Sequence, residues 1–175
     1  MQEYLVISAI GDDKPGIINA LSKAATDSQC NILDTRMTVL GGEFALLMMI
    51  SGEATALDSA QQKMNVSADK LGLTTIFKRT QPRKAGTASR PYRIEVVAID
   101  HPGIVSEIAG FFSGRDMNIE EMETGAYAAA HTGTPMFSLE MSVNIPGSIT
   151  IARLKDEFIA FCDERNLDAT IEPRR

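Results

Sequence analysis

The amino-acid sequence predicts an α+β protein in which one βαββαβ module is used twice, and three observations carry that expectation. A motif recurs at fixed spacing, the apolar pattern of each half alternates between strand and helix periods in the same order, and a short basic stretch separates the halves. The recurrence starts without a gap: adding 87 residues carries Asp13, Pro15, Gly16 and Ile17 onto Asp100, Pro102, Gly103 and Ile104, and Asn31-Ile32 onto Asn118-Ile119. Further on, Phe44, Leu46, Met48 and Ile50 match Phe137, Leu139, Met141 and Val143 once the second copy is granted six extra residues. These fall in YAAAHTGTP, which reads as a longer hairpin loop.

Each element follows from its pattern. YLVISAI at 4–10 reads as a strand, and Ile17, Ile18, Leu21, Ala24 and Ala25 then recur at helical spacing. Strands at 31–40 and 44–50 meet through Gly41-Gly42, where glycines supply the positive φ of a tight hairpin. A second helix shows Leu57, Ala60, Met64 and Leu71 on one side, and LTTIFK at 73–78 is a closing strand. The second half repeats the order: RIEVVAI; a helix with Ile104, Val105, Ile108, Phe111 and Phe112; strands near 118–127 and 135–144; a helix with Ile151, Leu154, Phe158 and Phe161; and a strand at 168–172. Such modules form a ferredoxin-like sandwich, a four-stranded antiparallel sheet with both helices on one face. The expected domains are 1–79 and 92–175, joined by a basic linker at 80–91 rich in Pro, Gly, Ser and Thr.

Charge and composition narrow the function. With 44% hydrophobic and 23% charged residues, a core forms without disulfides or metals, so Cys30 and Cys162 are expected to be buried free thiols of a reducing compartment. The start MQEYLVISAIGDD has no export-signal pattern and no apolar run reaches the roughly 18 residues of a membrane span, so the expected location is cytoplasmic, away from membranes. A net charge of −6 argues against direct binding of nucleic acid, which rests on cationic neutralisation of phosphates. Residues 1–78 carry net −3 and 92–175 net −7, whereas 79–91 hold four basic groups and no acid. The two faces of the second-copy strand at 135–144 alternate cleanly, with Ser138, Glu140 and Ser142 opposite its apolar row, but the first copy has Ala45, Leu47 and Met49 at those places. The first module's outer sheet face is therefore expected to be covered, by the other module, a second chain or a protein partner.

The repeated Asp-x-Pro-Gly-Ile lies where a strand passes into a helix. Free N–H groups and the positive end of the helix dipole suit a carboxylate there, the glycines allow close backbone approach, and Asp13 and Asp100 suit an ammonium group. The same residues fit a plain helix cap, Asp capping and Pro-Gly turning, and the pattern alone leaves both open. No catalytic residue and no metal site is expected: His101 and His131 are the only histidines and His101 replaces Lys14, zinc-ligand spacing is absent, and there is no phosphate loop, dinucleotide glycine pattern or nucleophile elbow. Glu120, Glu121 and Glu123 lie on a strand whose pleat separates neighbours, which favours a solvated edge over a metal site.

DKPGII at 13–18, DHPGIV at 100–105 and an Asn-Ile pair opening each second strand resemble the ACT domain. Two such domains filling the chain are similar to the glycine cleavage system transcriptional repressor family. What the resemblance implies is a non-enzymatic sensor without a cofactor that binds glycine or another amino acid. It further implies a homo-oligomer that represses transcription by contact with an activator protein, not by reading DNA itself. The alternative is a detached regulatory subunit of an amino-acid metabolic enzyme. Carried over by position, the implied ligand contacts are Asp13, Lys14, Pro15, Gly16, Ile17 and Ile18 with Asn31 and Ile32, and Asp100, His101, Pro102, Gly103, Ile104 and Val105 with Asn118 and Ile119.

Overall fold

A computed structural model describes residues 2–82 and 89–174. The chain divides into two compact units, Met1–Lys84 and Ala85–Arg175. The first runs β1 (Glu3–Asp12), α1 (Ile17–Thr26), β2 (Asn31–Leu40), β3 (Glu43–Gly52), α2 (Ala54–Leu71) and β4 (Thr74–Thr80). The second runs β5 (Ser89–Ile99), α3 (Ile104–Ser113), β6 (Asn118–Ala128), β7 (Pro135–Pro146), α4 (Ile151–Asp163) and β8 (Asp168–Pro173). Strand orders are β2-β3-β1-β4 and β6-β7-β5-β8, with every pair antiparallel, which is the ferredoxin-like arrangement in both units. Strand pairing takes both ends of the basic stretch: Thr80 closes β4, and Ser89, Arg90 and Pro91 open β5. The rest of that stretch, 83–88, lies outside the described residues.

Each unit has its own core. Leu5, Ile7 and Ala9 of β1 and Phe44, Leu46, Met48 and Ile50 of β3 alternate onto the face covered by Leu21, Ala25, Leu57 and Met64 of the helices. The second unit repeats this with Ile94, Val96, Leu139, Met141 and Val143 under Ile108, Phe112, Leu154 and Phe158. Burying the larger of these side chains contributes about 1.5–3 kcal/mol each, so the period-2 and period-3.6 stripes fix which way every element faces. Of the paired hairpin glycines only Gly41 has positive φ, at 62°. The six-residue insertion forms a longer turn between β6 and β7, closed by Ala129 N–H to Thr134 O at 2.9 Å.

The four helices among the described residues all stop by the same device. Gln29, Gly72, Asp116 and Asn166 take left-handed backbone. The next N–H then reaches back to the last turn: Cys30 to Ala25 O, Leu73 to Ala68 O, Met117 to Phe112 O and Leu167 to Cys162 O, at 2.9–3.1 Å. This is a Schellman closure, and the residue making the bond is buried each time.

Cys30 and Cys162 are free and buried. Desolvation raises the Cys30 thiol, and burial, with the charge of Asp163 adding to it, pushes Cys162 up to about 11. An unfolded thiol ionises near ~8.5. The contribution of Cys162 to stability is therefore whole below that pH and is lost as pH rises towards 11. Neither thiol is expected to react with iodoacetamide at pH 8 until the chain is unfolded in denaturant; rapid labelling of the native protein, read by intact mass, would contradict this burial. Among the described residues no helix is long and apolar enough to cross a membrane.

Candidate functional site

β1 ends at Asp12, and Asp13-Lys14-Pro15-Gly16 turns the chain into α1. Gly16 is the N-cap residue, with φ 96° and ψ −5°, and no side chain caps the helix. Gly103 does the same for α3, with φ 104° and ψ −16° and again no side-chain cap. The aspartates therefore do not act as helix caps. Their backbone N–H groups hold the neighbouring hairpin instead, Asp13 N–H donating to Gly42 O at 3.0 Å and Asp100 N–H to Pro135 O at 2.9 Å. The first helical bonds are Ala20 N–H to Gly16 O and Glu107 N–H to Gly103 O, both 2.9 Å. The N–H groups of the turn before them point out of the helix end, where the dipole is positive.

Ile17 and Ile104 belong to the cores, so only their backbones face the loops. Pro15, Gly16, Pro102 and Gly103 are exposed, Ile18 is half-buried and Val105 is exposed. A hollow of about 360 Å³ opens at the second loop, lined by His101, Gly103, Ile104, Val105, Ser106 and Phe137. The loops differ in charge. Lys14 donates to Leu71 O at 3.3 Å, tying the first loop to the negative C-terminal end of α2, and lies 4.0 Å from Asp12. His101 Nδ1 lies 3.0 Å from Pro102 O. The first turn of α3 carries Glu107, paired with Arg165 at 3.2 Å, whereas α1 has no acid in its first turn. An incoming carboxylate meets less repulsion at α1, and the shaped hollow lies at α3.

The structure does not bring Asn31-Ile32 or Asn118-Ile119 to these loops within a module. Asn31 sits in the row of Ser51 and Tyr4, eight residues down β1 from Asp12, and Asn118 in the row of Asn144 and Pro91, eight down β5 from Ile99. At about 3.3 Å per residue that is roughly 26 Å. The cause is the direction of the first helix of each module, which runs back along the sheet and delivers the chain to its far end. Asn31 and Asn118 are exposed there, and Ile32 and Ile119 pack against the cores.

A second hollow, about 590 Å³, lies between α3 and α4. Arg115 and Arg165 stack over Phe111 and Phe161, each 3.8 Å from the ring centroid, and pair with Glu157 and Glu107 at 3.3 and 3.2 Å. The sequence signal that could have found it is Phe-x-x-x-Arg, present at 111–115 and 161–165, which puts the guanidinium one turn beyond the ring. Its charges satisfy one another. Among the described residues no group of three or more His, Cys, Asp or Glu is placed to hold a metal ion.

Two duplicated sandwiches, each with an uncapped glycine entry to its first helix, define the class: a tandem of ferredoxin-like modules, the first of which matches the ACT-domain profile over residues 3–78. Its likeness runs along the whole length to the glycine cleavage system transcriptional repressor of Escherichia coli K12, 29% identical over 170 residues, covering 97% of this chain and 90% of that protein. A crystal structure provisionally assigned as a glycine cleavage system transcriptional repressor superposes with TM-score 0.76 at 26% identity, covering 100% of this chain and 99% of the other. A UPF0237 protein of Methanococcus maripaludis is 33% identical over 70 residues, covering 40% of this chain and 76% of its own.

Proposed function

We propose that this chain is an amino-acid-sensing regulator, not a catalyst, which lowers transcription of a glycine cleavage operon from the cytoplasm by contact with an activator protein. The observation that carries this reading is the likeness to the Escherichia coli repressor across both modules. The ligand sites are the loops Asp13–Ile18 and Asp100–Val105, where the carboxylate of glycine or another amino acid takes the uncapped N–H groups and the ammonium group takes Asp13 or Asp100. An amino acid held at a loop does not span the distance to the Asn-Ile pair of the same module, so those pairs are not part of the same pocket within it. A ligand that prefers one state of the protein shifts the population able to engage the activator by its difference in affinity.

Thermal-shift measurements across the twenty amino acids test the sensing step. Glycine is expected to raise the midpoint, because a ligand at a hundred times its Kd adds about 2.7 kcal/mol of stability, and Asp13→Asn with Asp100→Asn is expected to abolish the shift. No shift with any amino acid at millimolar concentration would remove the ligand from the proposal. Affinity capture then tests the output: retention of a transcription activator is expected, and retention of a metabolic enzyme instead would assign the chain to that enzyme as a regulatory subunit.

A further inference from the structure

The outer face of the first sheet is apolar where the second is charged. Ile10, Leu47 and Ile76 project from it and are 51%, 51% and 67% exposed, with Val6 and Met49 between them. Its strands register in rows that run straight across the sheet. One row reads Asp34–Met49–Val6–Lys78, the next Arg36–Leu47–Ser8–Ile76, and the third Thr38–Ala45–Ile10–Thr74. The rows are largely complementary to their own reversal. Turned end for end, the first sets acid against base at both ends, the second sets large Leu47 on small Ser8 and lays Arg36, held by Asp34 of its own chain at 3.1 Å, beside Ile76, and the third sets small Ala45 on large Ile10.

We propose that this face is a self-association surface, packed in solution against the same face of a second copy about a two-fold axis running along the strands. Such an axis lays every row on its reverse, β3 over β1 and β2 over β4 of the partner, and aligned packing of two sheets is an ordinary way to bury inner faces. Asp34 of one copy then meets the partner's Lys78, twice. A two-fold axis across the strands sets β2 on β2 and brings Arg36 against the partner's Arg36, a like-charge contact that disfavours it. The outer face of a C-terminal sheet is a poor occupant. Arg93 there is shared between Glu95 and Glu140 at 2.8 and 2.7 Å, Arg174 holds Glu121 at 2.8 Å, and Glu123 and Glu172 add further carboxylates. Pressing that set onto Leu47 and Ile76 strips five carboxylates of water against only two cations on this face, Arg36 and Lys78, of which Arg36 is already held by Asp34.

The size of the face sets the strength. Four strands at about 4.8 Å and some seven residues at about 3.3 Å cover on the order of 450 Å² per copy, below the ~800 Å² per partner of a standard stable interface. The dimer is therefore concentration-dependent, with a Kd in about the micromolar range or weaker.

Sedimentation equilibrium of the full chain from about 1 to 500 µM spans that range. A monomer–dimer equilibrium is expected, shifted to monomer by Leu47→Glu with an unchanged circular-dichroism spectrum. Asp34→Lys and Lys78→Asp are each expected to weaken the dimer about tenfold or more, and the double variant to recover most of the loss, as charge pairs across an interface do. Within one chain the two positions stand three strand spacings apart, about 14 Å, beyond the ~8 Å screening length at physiological salt, so recovery reports contact between copies. The charge pair decides the matter even where Leu47→Glu fails to fold. A chain monomeric throughout, a dimer indifferent to these variants, or a double variant no better than the singles would each overturn the proposal. So would a monomer whose melting point falls with Leu47→Glu, which would assign the cover to the chain's own second module.

Discussion

Phe112→Ala is expected to remove about 3–5 kcal/mol from the C-terminal module, the usual cost of emptying a buried phenylalanine site. Phe112 is 0% exposed and belongs to an aromatic cluster: its ring meets Phe111 edge-on at 5.1 Å and 74°, and Phe158 at 5.1 Å. Collapse is hindered on two sides. Phe111 is held by the Arg115 stack on one face and by Phe161 at 5.0 Å, and Phe158 is itself packed between Phe111 and Phe112. A domain of this size has about 5–15 kcal/mol in all, so the change removes a large share of the module's stability. Because the two cores share no residue, native-state hydrogen exchange is the measurement of choice. Amides of β5–β8 are expected to lose protection while those of β1–β4 keep theirs. A loss under about 1.5 kcal/mol would mean that the neighbours refill the space. The first copy has Ala25 at the matching position, equally buried, so a ring at this place is an invention of one module and not a requirement of the fold.

The fold was legible because its stripes were one-sided. Leu5-Ile7-Ala9 and Phe44-Leu46-Met48-Ile50 alternate, Ile17-Leu21-Ala24-Ala25 recur at helical spacing, and a shared offset ties both halves together, so element type, order and facing followed. Edge strand β2 resisted that logic. Met37 and Val39 are apolar yet exposed, because the helices lie over the central strands and leave the edge bare; composition carries no mark of lateral position in a sheet. The ends of the helices were equally silent. Gln29 takes left-handed backbone although glycine or asparagine is the ordinary choice, since the buried Cys30 that follows and its bond to Ala25 O hold it there. At the candidate site the loop was legible as a motif, but the distance from it to Asn31 was not. Spacing along the chain says nothing of which end of the sheet a strand begins at until the intervening helix is given a direction.

Gly16→Val and Gly103→Val are expected to cost about 1–2 kcal/mol each, and to do so without a steric neighbour. A Cβ built on Gly16 meets nothing within 4 Å, and on Gly103 only Glu107 Oε1 at 3.6 Å, an ordinary contact. The cost is in the backbone. With φ at 96° and 104°, both residues occupy conformations that a β-branched side chain enters only under strain. Urea denaturation measures it; variants as stable as the parent would show that the loops relax at no cost. The consequence for binding is larger than for stability. To relieve the strain, the valine variant rotates the peptide that launches the helix, and the N–H groups that await a carboxylate turn with it. Glycine-induced stabilisation is therefore expected to fall at least tenfold in apparent affinity in variants that remain folded. The loops should also respond unequally: Lys14 leaves α1 the more cationic entrance, and Glu107 makes that of α3 less so. Gly16→Val is thus expected to remove more of the response than Gly103→Val, whereas the reverse order would mean that the shaped hollow at the second loop outweighs charge in holding the ligand.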